Sequence, residues 1–321
     1  MTTPDDLLDS NSTGPSMTLS RRALLSVASA ALAPRVARAQ SAPRSGRMFN
    51  NIAEEVILDA IRAGRVLSRR PVGSTSVNYA CDLAGEIDMA FKPKSTSHGE
   101  AFLSEIAAFR LNRMLGLNRV PPACSRTMPR GSLRLPRETP VVAERDGSVR
   151  GAAIYWCPVL RDSRIDQERD RSRWTSWLRA RGTIPDGDRA RAEEISTLIA
   201  FDTLTGNWDR WSGQNVPMDS AGHLVYLDNN GGFSEPWGDR MMSSSLRNLR
   251  QVQRFSRSVI ERARALTDAS VRAEMALDGD PAHPPLSPTQ IASLLRRRDA
   301  LISYVDDLVR RHSADHVLSF S

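Results

Sequence analysis

Lysine is nearly missing from this chain of 321 residues: it stands only at positions 92 and 94, and arginine supplies almost all of the basic charge behind a formal balance of +7. Where arginine is the default cation, a lysine inside an apolar strand points to a place that needs a compact ammonium. The remaining arginines read as solvated helix faces, so no stable nucleic-acid partner is expected. Cysteine is scarce too. Cys81, Cys124 and Cys157 are too few for a disulfide scaffold and too far apart for a metal cluster, which leaves one bridge with a free thiol, or three reduced thiols. No stretch approaches the roughly 18 apolar residues of a membrane helix, so the mature chain should be soluble. No repeat or sustained heptad is present, which excludes solenoids and coiled coils. The recurrent glycines of a strong phosphate loop are lacking as well. Gly73-Ser74-Thr75-Ser76 offers at most a phosphate-facing turn with Ser74 as its candidate contact, and a surface hairpin fits equally.

The first forty residues carry Ser20-Arg21-Arg22, a modestly apolar alanine-rich core and Ala37-Arg38-Ala39, the pattern of a twin-arginine export signal cleaved after Ala39. Residues 1–39 are therefore expected to be a leader, with the mature protein periplasmic or secreted. Beyond it, apolar spacing predicts a helix over Ile52 to Leu67, strands over Val77 to Asp82 and Glu86 to Phe91, and a helix over Glu100 to Leu115. Thr139 to Glu144 and Val149 to Cys157 read as a hairpin around Asp146-Gly147. Trp174 and Trp177, among arginines, are packing anchors of a helix or a sugar- or nucleic-acid-binding face. Met242 to Arg264 and Pro288 to Arg311 have helical spacing.

Alternation puts Lys92 at a strand end, where it either reaches phosphates or guards a sheet edge. Glu105 sits in the largely apolar run Ser104 to Phe109, as a surface carboxylate or as the partner of a strand lysine. The chain is organised around Phe201 to Phe233. A helix over Arg189 to Leu204 stops at Gly206-Asn207, Asp209 falls on a loop, and His223 to Leu227 reads as a short strand ending in Asp228-Asn229-Asn230-Gly231-Gly232. That layout brings Asp209, Asn215 and Asp228 to one rim, and oxygen ligands there suit a hard divalent cation bound to phosphates.

These segments resemble the Fam20 and four-jointed families of secretory-pathway kinases. The resemblance rests on Phe91-Lys92-Pro93, Ser104 to Leu111 with its E-I-A-A-F run, Val120-Pro121-Pro122, Asp209-Arg210, and Asp228 to Phe233, all in the family order. It implies an α+β, bilobal, atypical protein-kinase-like fold over residues 40–321, with a small β-rich N-lobe (40–160, including a flanking helix) and a larger helical C-lobe (161–321). It further implies that Asp209 aligns the acceptor hydroxyl and that Lys92 binds the phosphates of ATP or another nucleoside triphosphate. Glu105 would organise the nucleotide through Lys92 or join the metal site, and Asp228 with Asn215 would hold Mg2+ or Mn2+. Kinase loops commonly place the asparagine five positions after the aspartate, where Gln214 stands here, so Gln214 or Asn215 takes that role. Ile154 or Trp156 is a candidate lining of the adenine pocket. The expected activity is phosphate transfer to a hydroxyl of a protein or glycan; the alternatives are a nucleotide-binding pseudokinase and a nucleotidyltransferase. An exported enzyme would meet little cytoplasmic ATP and would need exported nucleotide, another donor, or action before export.

Overall fold

A computed structural model of the chain describes residues 46–73, 77–133, 139–211, 215–233, 245–278 and 280–321. The expected leader, Ser74 and Gln214 lie outside the described residues. After a two-stranded β1–β2 turn (Met48–Phe49 and Ile52–Ala53) comes helix α1 (Glu54–Ala63), which buries Ile57, Leu58 and Ile61. The expected helix to Leu67 ends early. Gly64 follows α1, and Val66–Val72 forms strand β3, whose mostly exposed or half-buried pattern matches an edge strand. A five-stranded antiparallel sheet is then built in the order β3-β4-β5-β7-β6, with β4 at Asn78–Leu83, β5 at Met89–Pro93, β6 at Ala123–Pro129 and β7 at Ser148–Tyr155. The strand partners of β7 are β5 and β6; of the expected hairpin, residues 139–144 keep an isolated bridge at Val141 and the turn at Asp146-Gly147, closed by the Glu144 N–H on the Ser148 carbonyl at 2.8 Å.

Helix α2 (Leu103–Leu115) packs on this sheet. It ends at Gly116, whose φ of 65° is the left-handed conformation that closes a helix without a side-chain penalty. A short α3 (Arg130–Leu133) follows β6, and the chain turns helical from α4 (Glu168–Trp177) and α5 (Arg189–Thr205) onward. On α5 the expected face of Ile195, Leu198, Ile199 and Leu204 is at most 1% exposed, and Gly206 with φ 68° ends the helix. Trp174 and Trp177 are packing anchors: they are 1% and 8% exposed, and the Trp174 indole N–H donates to the Ile165 carbonyl at 2.9 Å.

The expected strand at 223–227 is extended backbone tied to loops, with the Val225 N–H on the Pro217 carbonyl and the Leu227 N–H on the Asn215 carbonyl. Beyond residue 244 the expected long helix is divided into α6 (245–249) and α7 (Arg257–Arg264). Helices α8 (Asp268–Ala276), α9 (Pro288–His312) and α10 (Ala314–Val317) complete the chain. Ser287 and Gln290 form a capping box at the start of α9, with Pro288 at its first position. All three cysteines are free and buried, which settles the disulfide question in favour of three reduced thiols. Among the described residues no helix is long and apolar enough to cross a membrane.

Candidate active site

Lys92 lies on β5 opposite Ala152 of β7, and its side chain leaves the sheet toward two carboxylates from distant parts of the chain. Its Nζ is 2.5 Å from Glu105 Oε1 on α2 and 2.7 Å from Asp228 Oδ1. Burial disfavours the Lys92 ammonium, but Glu105 and Asp228 outweigh that effect and hold its pKa above the ordinary lysine value. Glu105 is held from behind as well. The Asn229 backbone N–H donates to its Oε1 at 3.0 Å and the Asn229 amide to its Oε2 at 3.2 Å. A carboxylate this buried, 3% exposed, therefore keeps both oxygens satisfied and points them at the ammonium.

The run after Asp228 is fixed from three helices. Ser104 of α2 donates to the Gly232 carbonyl at 3.0 Å, the Phe233 N–H donates to the Thr205 carbonyl of α5 at 2.7 Å, and Gln290 of α9 donates to the Phe233 carbonyl at 2.8 Å. Asp228 itself adopts φ 49°, a left-handed backbone that aspartate tolerates better than most residues. Asn207 links this run to the loop acid: its amide oxygen accepts the Asp209 backbone N–H at 3.1 Å, and its amide N–H reaches the Asp228 carbonyl at 3.4 Å. Gly231 fits the same contact, since a Cβ there would meet Asn207 Oδ1 at 2.9 Å and Asp209 Cβ at 3.0 Å.

Arg210 anchors the loop. Its Nε donates to both oxygens of Asp202 at 3.0 and 3.1 Å, one terminal nitrogen bonds the Leu227 carbonyl, and the other bonds Asn229 Oδ1 at 2.6 Å. Burial pushes the Asp202 carboxyl up to about 6, against the pull of Arg210. The Asn215 amide donates to the Asp209 carbonyl at 3.1 Å.

Lys92, Glu105, Asn215, Asp228 and Asn229 line one cavity of about 260 Å³. Its apolar walls include Val72, Ala90, Ile154 and Trp156, so both candidate adenine-pocket residues face it. A larger depression of about 860 Å³ beside α4 contains none of these groups; the smaller cavity is the one where an ammonium meets two carboxylates, the kind of convergence that marks a reaction site. Among the described residues no cluster of three or more His, Cys, Asp or Glu side chains is arranged for a metal. Two converging carboxylates with a neighbouring amide nonetheless fit a Mg2+-type ion, which takes much of its coordination from phosphates and water.

Of the sequence-derived candidates, Lys92, Glu105, Asn215 and Asp228 thus share one cavity, and Asp209 is tied to its rim through Asn207 and Asn215. The part that sequence reasoning left without a role is Asp202, the carboxylate that receives Arg210. Its signal was an acid inside an otherwise apolar helix face.

No family model matches the chain. A glycosaminoglycan xylosylkinase of Danio rerio is 26% identical over 317 residues, covering 82% of this chain and 76% of that relative. The solved structure of hydra Fam20 with sugar superposes with a TM-score of 0.60 at 19% identity, over 86% of this chain and 95% of that one. The Golgi casein kinase with Mn and ADP bound gives a TM-score of 0.59 at 15% identity, over 83% and 78% of the two chains. With the sequence motifs in the same order, the chain is similar to the Fam20-like kinases, and it has a mixed α+β kinase fold of a small sheet lobe and a helical region.

Proposed function

We propose that the chain is an exported, metal-dependent phosphotransferase that moves the terminal phosphate of a nucleoside triphosphate to a hydroxyl of a glycan or protein. The observation that carries this reading is the convergence of Lys92 with Glu105 and Asp228 at the mouth of one cavity, 2.5 and 2.7 Å from the ammonium, with Asp209 tied to the same rim. The relatives support it: one is named for phosphorylating a glycosaminoglycan xylose, and another is a casein kinase with Mn and ADP bound.

In this reading the apolar walls at Ile154 and Trp156 take the base, and Lys92 takes the phosphates. Glu105, anchored by Asn229, keeps the ammonium aimed into the cavity. Asp228 and Asn215 are the residues that would hold Mg2+ or Mn2+, with Glu105 beside them; the ion supplies neutralisation of the charge that builds on the transferring phosphate. Asp209 aligns the acceptor hydroxyl and accepts its proton as the new oxygen–phosphorus bond forms and the bond to the departing nucleoside diphosphate breaks. Asn207 fixes the loop acid against the Asp228 backbone, so the aligning group and the phosphate-holding group keep one spacing. Residues 1–39 supply the twin-arginine export signal, and the product is made outside the cytoplasm.

The test is mass spectrometry of glycan and peptide acceptors after incubation of the mature chain with ATP and Mn2+. A gain of phosphate is expected, lowered by ~10²–10⁴-fold in Asp209→Asn with nucleotide binding retained. Equal turnover by that variant overturns the mechanism, and a gain of nucleoside monophosphate shows nucleotidyl transfer instead.

A further inference from the structure

The depression of about 860 Å³ lies between α4, the turn at 178–182, residues 251–253 and the end of α9. Its charge is one-sided. Arg171, Arg179, Arg181 and His312 stand on its wall, against the single carboxylate of Glu168. Elsewhere on α4 an arginine finds acids: Arg173 pairs with Asp170 and Asp188. Arg179 and Arg181 are exposed and have no ion pair among the described residues, and the same holds for the nearby Arg250. Arg179, Arg250 and Arg311 all act electrostatically on the phenol of Tyr304, whose pKa burial raises and these guanidiniums pull back. Like charges gathered with little counter-charge repel one another, a cost that an anionic ligand lowers.

The rest of the wall sets a few polar groups among aliphatic surface. Ser172, Thr175 and Gln251 bring hydroxyl and amide groups between the guanidiniums. The tryptophans of α4 are turned inward, at 1% and 8% exposure, so the wall has no aromatic platform for unstacked bases. Guanidiniums interleaved with hydroxyl and amide groups match a chain of sugar rings whose carboxylates or sulfates alternate with hydroxyls. One end of the depression also reaches the catalytic loop. Arg171, held by Asn248 at 3.0 Å, lies over the Trp211 ring at 5.5 Å, and Trp211 follows Asp209 by two residues.

From this arrangement we infer that the depression is a second binding site for a linear acidic polysaccharide, which docks there while a hydroxyl of the same chain enters beside Asp209. The coupling to transfer rests on the phosphotransferase reading; the binding does not. Engagement at two places on one chain raises the effective concentration of the acceptor end at the loop.

The test uses the mature protein with heparin and hyaluronan chains as probes, read by titration at several salt concentrations. Arg179→Ala/Arg181→Ala is expected to weaken binding by about tenfold or more and to reduce the salt slope by about 2. Arg65→Ala/Arg145→Ala removes the same charge from exposed positions elsewhere and is expected to change binding less than about twofold. An equal loss in both double variants, or a loss in neither, overturns the site. Stronger competition by polyglutamate or single-stranded DNA than by free heparin overturns the polysaccharide assignment. Unchanged melting temperatures of both variants separate a binding loss from misfolding. Asp209→Asn is expected to bind heparin like the wild type, so failure of transfer and failure of this site are distinguishable. Transfer to a short neutral saccharide is expected to be equal in Arg179→Ala/Arg181→Ala and wild type; a matching loss there shows damage to the catalytic loop instead and overturns the coupling.

Discussion

Lys92 with Glu105 and Asp228, and Arg210 with Asp202, are two ion networks made of similar parts that meet at Asn229. The Asn229 amide N–H holds Glu105 on one side, and its amide oxygen accepts from Arg210 on the other. The difference between them is access. The side chains of Lys92 and Asp228 keep 13% and 33% of their exposure and face the cavity, whereas those of Arg210 and Asp202 keep 0% and 8%. Charges beside a cavity can exchange a protein partner for a ligand's phosphates. Sealed charges can only hold the protein's own groups, and Arg210 does so at the Leu227 carbonyl, one residue before Asp228. The raised Asp202 pKa says that desolvation outweighs its attraction to Arg210, so the sealed pair stands for position more than for stability.

Breaking the sealed network should have the largest effect. Arg210→Met leaves Asp202 buried without its partner, and a loss of ~3–5 kcal/mol is expected in urea unfolding. A loss below 1 kcal/mol, on the order of a surface pair, would show that the two networks do not differ in access as described. Gly231→Ala sharpens the comparison at the junction. The added Cβ must displace Asn207 or Asp209, so transfer should fall by roughly 10–100-fold with nucleotide affinity nearly unchanged, a split visible in steady-state kinetics against a binding titration.

Asp202→Asn tests the same pair through pH. Burial pushes the Asp202 carboxyl from its ordinary 3.8 up to about 6, so the native state holds the extra proton between those values. Wild-type stability relative to the variant should therefore fall as pH rises from about 4 to about 6 and stay level above that. A difference that grows over this window would contradict the assignment. The smallest effect is expected at Cys157, which also lines the cavity but whose thiol burial pushes up to about 12. Iodoacetamide at pH 8 should leave it unmodified in the folded protein, and rapid labelling would show that the cavity is wetter than described.

The parts of this site legible in the sequence were those with a local sign. Lys92 stood out because lysine is rare and β5 alternates, and α5 stood out by its apolar face and its glycine stop. Glu105 was visible as an acid in an apolar run. Strand β3 was missed because Arg69, Arg70 and Pro71 look like the end of a helix, and an exposed edge strand lacks a buried alternation to correct that impression. Strand β6 was missed because Ala123-Cys124-Ser125 carries little strand propensity and is held by its pairing with β7. The Arg210 network spans Asp202 to Asn229, and the arginine depression draws on α4, residues 251–253 and α9. Periodicity within one element reports neither, because both exist only once distant segments pack.

On the proposed function, Asp228 serves a bound nucleotide and cation while Asp202 serves the fold. Calorimetric titration of ATP into the wild type, Asp228→Ala and Asp202→Asn, each with and without Mn2+, tests it directly. Mn2+-dependent binding is expected in the wild type and Asp202→Asn, and its loss in Asp228→Ala with the melting temperature retained. Mn2+-dependent binding of equal affinity in Asp228→Ala would contradict it.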